Sequence, residues 1–244
     1  MANLYFTDES LAESTRSVAL TGDESRHAAQ VARLRVGESI EVSDGRGWRV
    51  HGTVAESAPS RVVVTVERIE HESSDAPRFV LVQALAKGDR DELAVQTATE
   101  LGVDDVVPWQ AERSVSRWSG DKVAKGVARW QTIVREAAKQ SMRSHIPEVH
   151  DPVSTNGITR SVDGTTWLVL DPRAEHSIRE WAEHAGTPET IGVIVGPEGG
   201  ISPAELNALV AAGATPIRLG PHVLRTSTAG PAALATLGAL FRRW

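Results

Sequence analysis

The chain contains no cysteine, which excludes disulfides, thiolate-held metals and a cysteine nucleophile. It has no run approaching about 18 consecutive apolar residues, so a membrane-crossing helix is not expected. Its opening, MANLYFTDES, has neither a basic region nor an apolar one; no secretory leader is expected, and the cytoplasm is the expected compartment. The eight histidines form no His-x-His or HExxH pattern and stand in no paired metal-ligand spacing with carboxylates, so no metal is expected. Ser227 lies in no Gly-x-Ser-x-Gly elbow, which removes the usual hydrolase nucleophile. Nor is there an excess of positive charge: the net charge is -6, which argues against a generic nucleic-acid binder.

What is present is an ordinary globular composition, 41% hydrophobic and 24% charged over 244 residues, enough for one large domain or two small ones. The charge is uneven. Residues 111–145 carry 8 Lys and Arg against 3 Asp and Glu, a basic stretch that suits either a solvated helix face or a phosphate contact. Residues up to about 70 read as mostly β, with SIEVSDGRGWRVHGTV forming a hairpin around Asp44–Gly47 and RVVVTVERIE a further strand. Between them, DESRHAAQVARLRVGE has helical spacing and is closed by Gly37. HESSDAP (71–77) reads as a linker. Beyond it, the strand-like runs FVLVQAL, VDDVVPW, TTWLVLD, TIGVIVG and TPIRLG alternate with helical runs. That order predicts a mostly parallel α/β sheet with helices on both faces.

Three local patterns carry chemistry. In Ile194–Glu205 (IVGPEGGISPAE) a buried strand runs into a glycine-rich loop. Ser202, Pro203 and Glu205 then fit the N-cap, first and third positions of a helix. The spacing of Gly196, Gly199 and Gly200 is neither a P-loop nor G-x-G-x-x-G. The loop is therefore either a tight turn or a place where a ligand approaches the backbone. In Ile217–Gly230 a strand again ends in glycine and a polar loop precedes an Ala-rich helix. Arg225 there could offer a planar donor fork, and Thr226 and Thr228 could cap the helix. On the helix expected over 126–143, Glu136, Gln140 and Arg143 share one face, apart from the apolar stripe of Val127, Trp130, Ile133, Val134, Ala137 and Ala138.

Taken in order along the chain, several stretches resemble the RsmE family of 16S rRNA (uracil N3) methyltransferases, of the SPOUT superfamily. They are His27–Gly37, Gln83–Arg90 (QALAKGDR), Thr99–Val103, Glu112–Ser114, Arg129–Arg143 with Pro147, Val195–Ser202, Leu219–Gly220 and Leu224–Ala229 (LRTSTA). One departure stands out: the family's usual Leu-Arg-Thr-Glu-Thr-Ala has Ser227 in place of glutamate here. The resemblance implies a PUA-like RNA-binding β-barrel over 1–72 and a SPOUT methyltransferase domain with a C-terminal trefoil knot over 73–244. It implies S-adenosylmethionine as cofactor, held by Leu170, Gly196, Pro197, Glu198, Gly199, Gly200, Leu219, Gly220, Leu224, Thr226 and Thr228. Arg225 becomes the candidate donor to the reacting uracil, and Glu198 either a general base or an acceptor that holds its own loop. His27, Arg33, Arg35, Lys87, Arg113, Arg129, Gln140 and Arg143 become candidate RNA contacts. The implied substrate is a uridine of 16S rRNA (position 1498 in the family) in the small ribosomal subunit. The implied assembly is a homodimer, with the apolar C-terminal stripe of Leu234, Leu237, Leu240 and Phe241 serving as interface or as core. Methylation of another RNA position or of a ribose 2′-OH, and a non-catalytic role in RNA binding or ribosome assembly, are the competing readings.

Overall fold

A computed structural model of the chain describes residues 4–73, 77–160 and 164–243. The expected linker lies partly outside these, since 74–76 are not among them. The chain divides into two compact units, Met1–Ser74 with Ala138–Ile146, and Asp75–Ala137 with Pro147–Trp244.

The first unit is a five-stranded mixed sheet. Its strands are β1 (Leu4–Phe6), β2 (Ser17–Leu20), β3 (Ser39–Ser43), β4 (Trp48–Ala58) and β5 (Arg61–His71), in the order β1-β3-β4-β5-β2. Alternation builds it: Ile40, Val42, Val50, Val54, Val62 and Val64 are all buried in one cluster. The edges of the sheet, β1 and β2, are linked by Thr7 Oγ1 donating to Ala19 O at 3.1 Å. The β3–β4 hairpin forms as expected around Asp44–Gly47. Gly47 is required there: its φ is +101°, and a Cβ would lie 2.6 Å from His145 Nε2. Ile146 N–H donates to Gly45 O at 3.0 Å, and Ser43 Oγ donates to Ser144 O at 2.9 Å. Residues 138–146 therefore belong with this unit although they lie far along the chain. The helix expected to run to Gly37 is shorter. A short α1 (Gly22–Arg26) passes into a π turn, His27–Val31. Arg33 then takes φ +55°, and Leu34 N–H turns back to Ala28 O at 3.0 Å. Leu34 packs against the core cluster, and that burial ends the helix.

The second unit is a six-stranded sheet, β11-β9-β10-β6-β7-β8, in which every pair is parallel. The strands are β6 (Arg78–Ala84), β7 (Asp105–Trp109), β8 (Glu148–Val149), β9 (Thr166–Leu170), β10 (Thr190–Val195) and β11 (Thr215–Ile217). The helices are α2 (Arg90–Glu100), α3 (Asp121–Gln140), α4 (Thr155–Arg160), α5 (Ile178–Ala182), α6 (Pro203–Ala211) and α7 (Thr226–Leu240). Continuous apolar runs suit strands covered on both faces. Val82, Ala84, Val169 and Ile194 pack with Ile158 of α4 and Leu209 of α6. On the other face α7 lies so close that a Cβ at Gly230 would come 3.0 Å from Leu81 and 3.3 Å from Val195. Leu234 and Leu237 of α7 are buried core, whereas Leu240 is 41% exposed.

Two elements carried too little pattern to be foreseen, the two-residue β8 and the six-residue α4. The α3 stripe is buried at Trp130, Val134, Ala137 and Ala138, as its spacing predicts. Its bounds shift, however. Met142 takes φ +58° after the helix ends at Gln140, and Arg143 N–H returns to Ala138 O at 2.9 Å. Arg143 is therefore not on the helical face with Glu136 and Gln140.

At the N-terminal edge of β7, Asp105 accepts from His150 Nε2 at 3.1 Å and from Arg78 Nη2 at 2.7 Å. Ligand atoms of Asp105, Glu148 and His150 lie within 4.8 Å of one another. The Arg78 guanidinium occupies one carboxylate oxygen of that group, which makes it an ion-pair network.

Candidate active site

The carboxyl ends of β9, β10 and β11 open into loops that together line a cavity of about 650 Å³. This is where open parallel sheets bind ligands. Apolar walls come from Leu170, Val195, Ile217, Leu219 and Leu224. The glycine loop after β10 is shaped by its own chemistry. Gly200 takes φ +71° and its N–H donates to Pro197 O at 2.8 Å. The helix that follows starts as its sequence predicts. Ser202 is the N-cap of α6, Pro203 follows it, and Ser202 and Glu205 exchange reciprocal side-chain bonds in a capping box. Glu205, only 7% exposed, does more than cap. Its Oε1 accepts from Glu112 N at 2.8 Å and from Thr155 Oγ1 at 2.7 Å. It thus ties α6, the 111–113 turn and α4 together.

Of the residues expected to hold a cofactor, Leu170, Gly196, Pro197, Glu198, Gly200, Leu219, Gly220, Leu224 and Thr226 all line this cavity. Gly199 and Thr228 are not among the lining residues. A Cβ on Gly199 would meet Arg113 Cβ at 3.2 Å, and Thr228 is exposed in the first turn of α7. At Gly220 a Cβ would meet no protein atom within 4 Å, so this glycine leaves its space to the cavity. The expectation that Thr226 and Thr228 cap α7 is not met. The N-cap is Arg225, with no side-chain cap bond. The Thr226 hydroxyl instead donates to Gly196 O at 2.9 Å.

The charged lining divides by partnership. Glu198 Oε1 accepts from Lys87 N at 3.1 Å and Arg90 Nη1 at 2.8 Å. Burial pushes the Glu198 carboxyl up, but its own N–H, Arg90 and the Lys87 N–H outweigh this and hold it below the usual carboxylate range. Asp171, just past the end of β9, accepts a two-pronged bond from Arg173, with Nε and Nη2 each at 3.1 Å. Burial raises its pKa, and the Arg173 side chain and N–H lower it by more. Arg113 Nη1 donates to Gly199 O at 3.1 Å, and Arg218 Nη1 donates to the carbonyls of Ala174 and Glu175. Among the described residues, Arg225 is the lining arginine whose side chain makes no hydrogen bond or ion pair within the chain. The position of the family's usual glutamate carries Ser227, and the carboxylates that do line the cavity are Asp171 and Glu198.

The expected RNA contacts fall in both units. His27, Arg33 and Arg35 are exposed on the first, and Gln140 and Arg143 belong to it as well. Lys87, Arg113 and Arg129 are exposed on the second. Arg129 is already paired, with Nη2 2.8 Å from Glu92 Oε2. Asp171, Arg173, Arg90, Arg218 and His222 also line the cavity and were not singled out from sequence. Their only local signal is adjacency: Asp171 directly follows a buried strand, and His222 stands three residues before Arg225.

A parallel α/β domain with a loop-lined cavity at its strand ends, together with a mixed β unit, matches the class of two-domain RNA methyltransferases. The RNA methyltransferase domain family matches residues 73–238, and the RNA methyltransferase PUA domain family matches residues 20–67. The chain is 41% identical over 249 aligned positions to ribosomal RNA small subunit methyltransferase E of Mycobacterium bovis, covering 100% of this chain and 94% of that protein. It is 28% identical to the Bacillus subtilis protein of the same name, over 92% of this chain and 91% of that one. The crystal structure of the Neisseria gonorrhoeae ribosomal RNA small subunit methyltransferase E bound to S-adenosyl methionine superposes with a TM-score of 0.89 at 27% identity, covering 99% of this chain and 98% of that one. The chain belongs to the ribosomal RNA small subunit methyltransferase E family.

Proposed function

We propose that this protein uses S-adenosylmethionine to methylate N3 of a uridine in 16S rRNA, at the position numbered 1498 in the family. The observation that carries the reading is Arg225, a guanidinium without a partner among the described residues, beside the two loops suited to an adenosyl group. The cavity fits such a group: apolar walls from Leu170, Leu219 and Leu224, space left at Gly220, and exposed loop backbone for polar contacts. When bound, the cofactor supplies a methyl group on an electrophilic sulfonium.

The chain's residues have the rest of the work. Uracil N3 is a weak acid and carries its proton at neutral pH, so that proton must pass to solvent water as negative charge develops on O2 and O4. A guanidinium offers two parallel N–H donors to such an oxygen and stays charged throughout. Holding the base beside the cofactor supplies much of the remaining acceleration. Glu198 is assigned the structural of its two expected roles. A carboxylate held below its usual range by Arg90 and two backbone N–H groups is a weak base, and those same bonds anchor the glycine loop. Lys87, whose N–H bonds Glu198, and Arg113, which donates to Gly199 O, are both exposed and suit phosphate contacts.

The same reading extends to the assembled small subunit as substrate, a cytoplasmic setting, a trefoil knot formed by the C-terminal loops, and a homodimer. Light scattering tests the last, with a dimer mass expected. The main test is nucleoside analysis of 16S rRNA from a deletion strain. Loss of N3-methyluridine, restored by the wild-type gene, is expected; an unchanged nucleoside overturns the assignment.

A further inference from the structure

Gln83 is the penultimate residue of β6, in the middle of the parallel sheet, and is fully buried among Leu81, Val82 and Ala84. Its register partners are Val195 of β10 and Pro108 of β7. Its Nε2 donates to Thr226 Oγ1 at 2.9 Å and to Ala84 O at 3.1 Å. The second bond fixes which end of the amide is nitrogen, because the flipped amide would set two carbonyl oxygens against each other. Thr226 Oγ1 in turn donates to Gly196 O. Its hydroxyl is then committed inward on both sides, accepting from β6 and donating to the first residue of the glycine loop. Thr226 directly follows Arg225 and opens α7. One short chain of hydrogen bonds thus joins the end of β6, the end of β10 and the start of α7.

This arrangement is a poor choice for stability alone. Among the described residues nothing donates to Gln83 Oε1, which is buried. A buried amide with an orphaned carbonyl is costlier than an apolar side chain of the same length. Residues that break a local rule without local benefit are expected where function sets the geometry.

We infer that Gln83 and Thr226 are positioning residues: the Gln83–Thr226–Gly196 tie sets the spacing between the glycine loop and the Arg225 loop, and thereby the width of the cofactor cavity. The inference rests on the S-adenosylmethionine reading above. Neither side chain needs to touch the reacting atoms.

The test compares calorimetric binding of S-adenosylmethionine with the thermal midpoint of the cofactor-free full-length protein. Gln83→Met keeps length and volume and removes both donors. It is expected to weaken binding about tenfold while the midpoint stays level or rises. Thr226→Val, which keeps shape and loses the hydroxyl, is expected to weaken binding similarly, and Thr226→Ser to retain wild-type affinity. Because the two act as one unit, Gln83→Met with Thr226→Val is expected to bind no more weakly than the worse single variant. Wild-type affinity in both Gln83→Met and Thr226→Val overturns the inference. So does a loss of affinity that tracks a loss of midpoint across the series, since that pattern marks a merely structural contact. Absence of binding by the folded wild-type protein overturns the cofactor reading itself, and the inference with it.

Discussion

The loops Gly196–Gly200 and Leu219–Arg225 both contribute residues to the same cavity, yet they are held in opposite ways. The glycine loop is pinned at almost every residue. Gly196 O accepts from Thr226, Glu198 from Lys87 and Arg90, Gly199 O from Arg113, and Gly200 N–H closes the turn on Pro197 O. The capping box of α6 fixes its far end. The second loop carries Val223 at 79% exposure and Leu224 at 38%, and among the described residues the Arg225 side chain has no partner within the chain. A loop held at most of its residues costs little to hold still when a ligand arrives. A loop with an open cation and exposed apolar side chains keeps its interactions for something outside the chain. The first is built to present backbone, the second to present a side chain.

That contrast can be broken most sharply at Arg225. Arg225→Lys keeps the charge and loses the fork, so turnover is expected to fall by about 10²–10³, the typical effect of removing one oxyanion donor. S-adenosylmethionine affinity should change far less. Equal losses in binding and turnover would move Arg225 into the cofactor wall.

On the pinned side, Glu205→Ala leaves the Glu112 N–H and the Thr155 hydroxyl without their acceptor and removes half of the capping box. Both donors are only partly buried, so each left unpaired costs toward the low end of about 1–3 kcal/mol, and with the weakened cap denaturant unfolding should show a loss of about 2–3 kcal/mol.

Glu198→Gln retains an acceptor for Lys87 N–H and weakens only a half-exposed ion pair with Arg90. Such pairs contribute about 1 kcal/mol or less. A turnover loss below about tenfold is therefore expected, whereas a general base in this position would give a loss of about a hundredfold or more.

The smallest effect lies away from both loops. Hydrogen bonding to Asp105 raises the His150 pKa above 6.5 despite partial burial. A raised histidine stabilises the fold fully below its unfolded value and loses that contribution as pH rises through its folded value. Burial pushes Asp105 up, but His150 and Arg78 hold it below 3.8, so its contribution is lost only on acidification. The stability difference between wild type and His150→Asn should thus be largest between about pH 4 and 6.5 and shrink above that. The His150 side chain is 40% exposed, so the difference should not exceed about 1 kcal/mol.

Much of this protein was legible from residue order. The alternation of apolar runs predicted a parallel sheet, and Ser202-Pro203-x-Glu205 predicted a helix start, because capping is decided within four residues. Gly196–Gly200 and Leu219–Thr228 could be singled out as loops at strand ends for the same local reason. The Ser227 departure is likewise a fact of sequence alone.

Tertiary structure decided which side chains in those loops are free. Whether Arg225 is open and Arg90, Arg113 and Arg218 are engaged depends on partners up to 108 residues away, as in Arg90 with Glu198, and no local pattern encodes such a pairing. The same holds for Thr226, whose place suits a cap but whose hydroxyl is claimed by Gly196 and Gln83, the latter 143 residues away in sequence. It holds too for Gly199, turned toward Arg113, and for residues 138–146, whose backbone bonds to Gly45 and Gly47 draw them into the first unit. Secondary structure follows from near neighbours because backbone bonding and side-chain periodicity repeat every few residues. The partners of a charged or hydroxyl group follow from the crossing of distant strands, which only the folded sheet brings together.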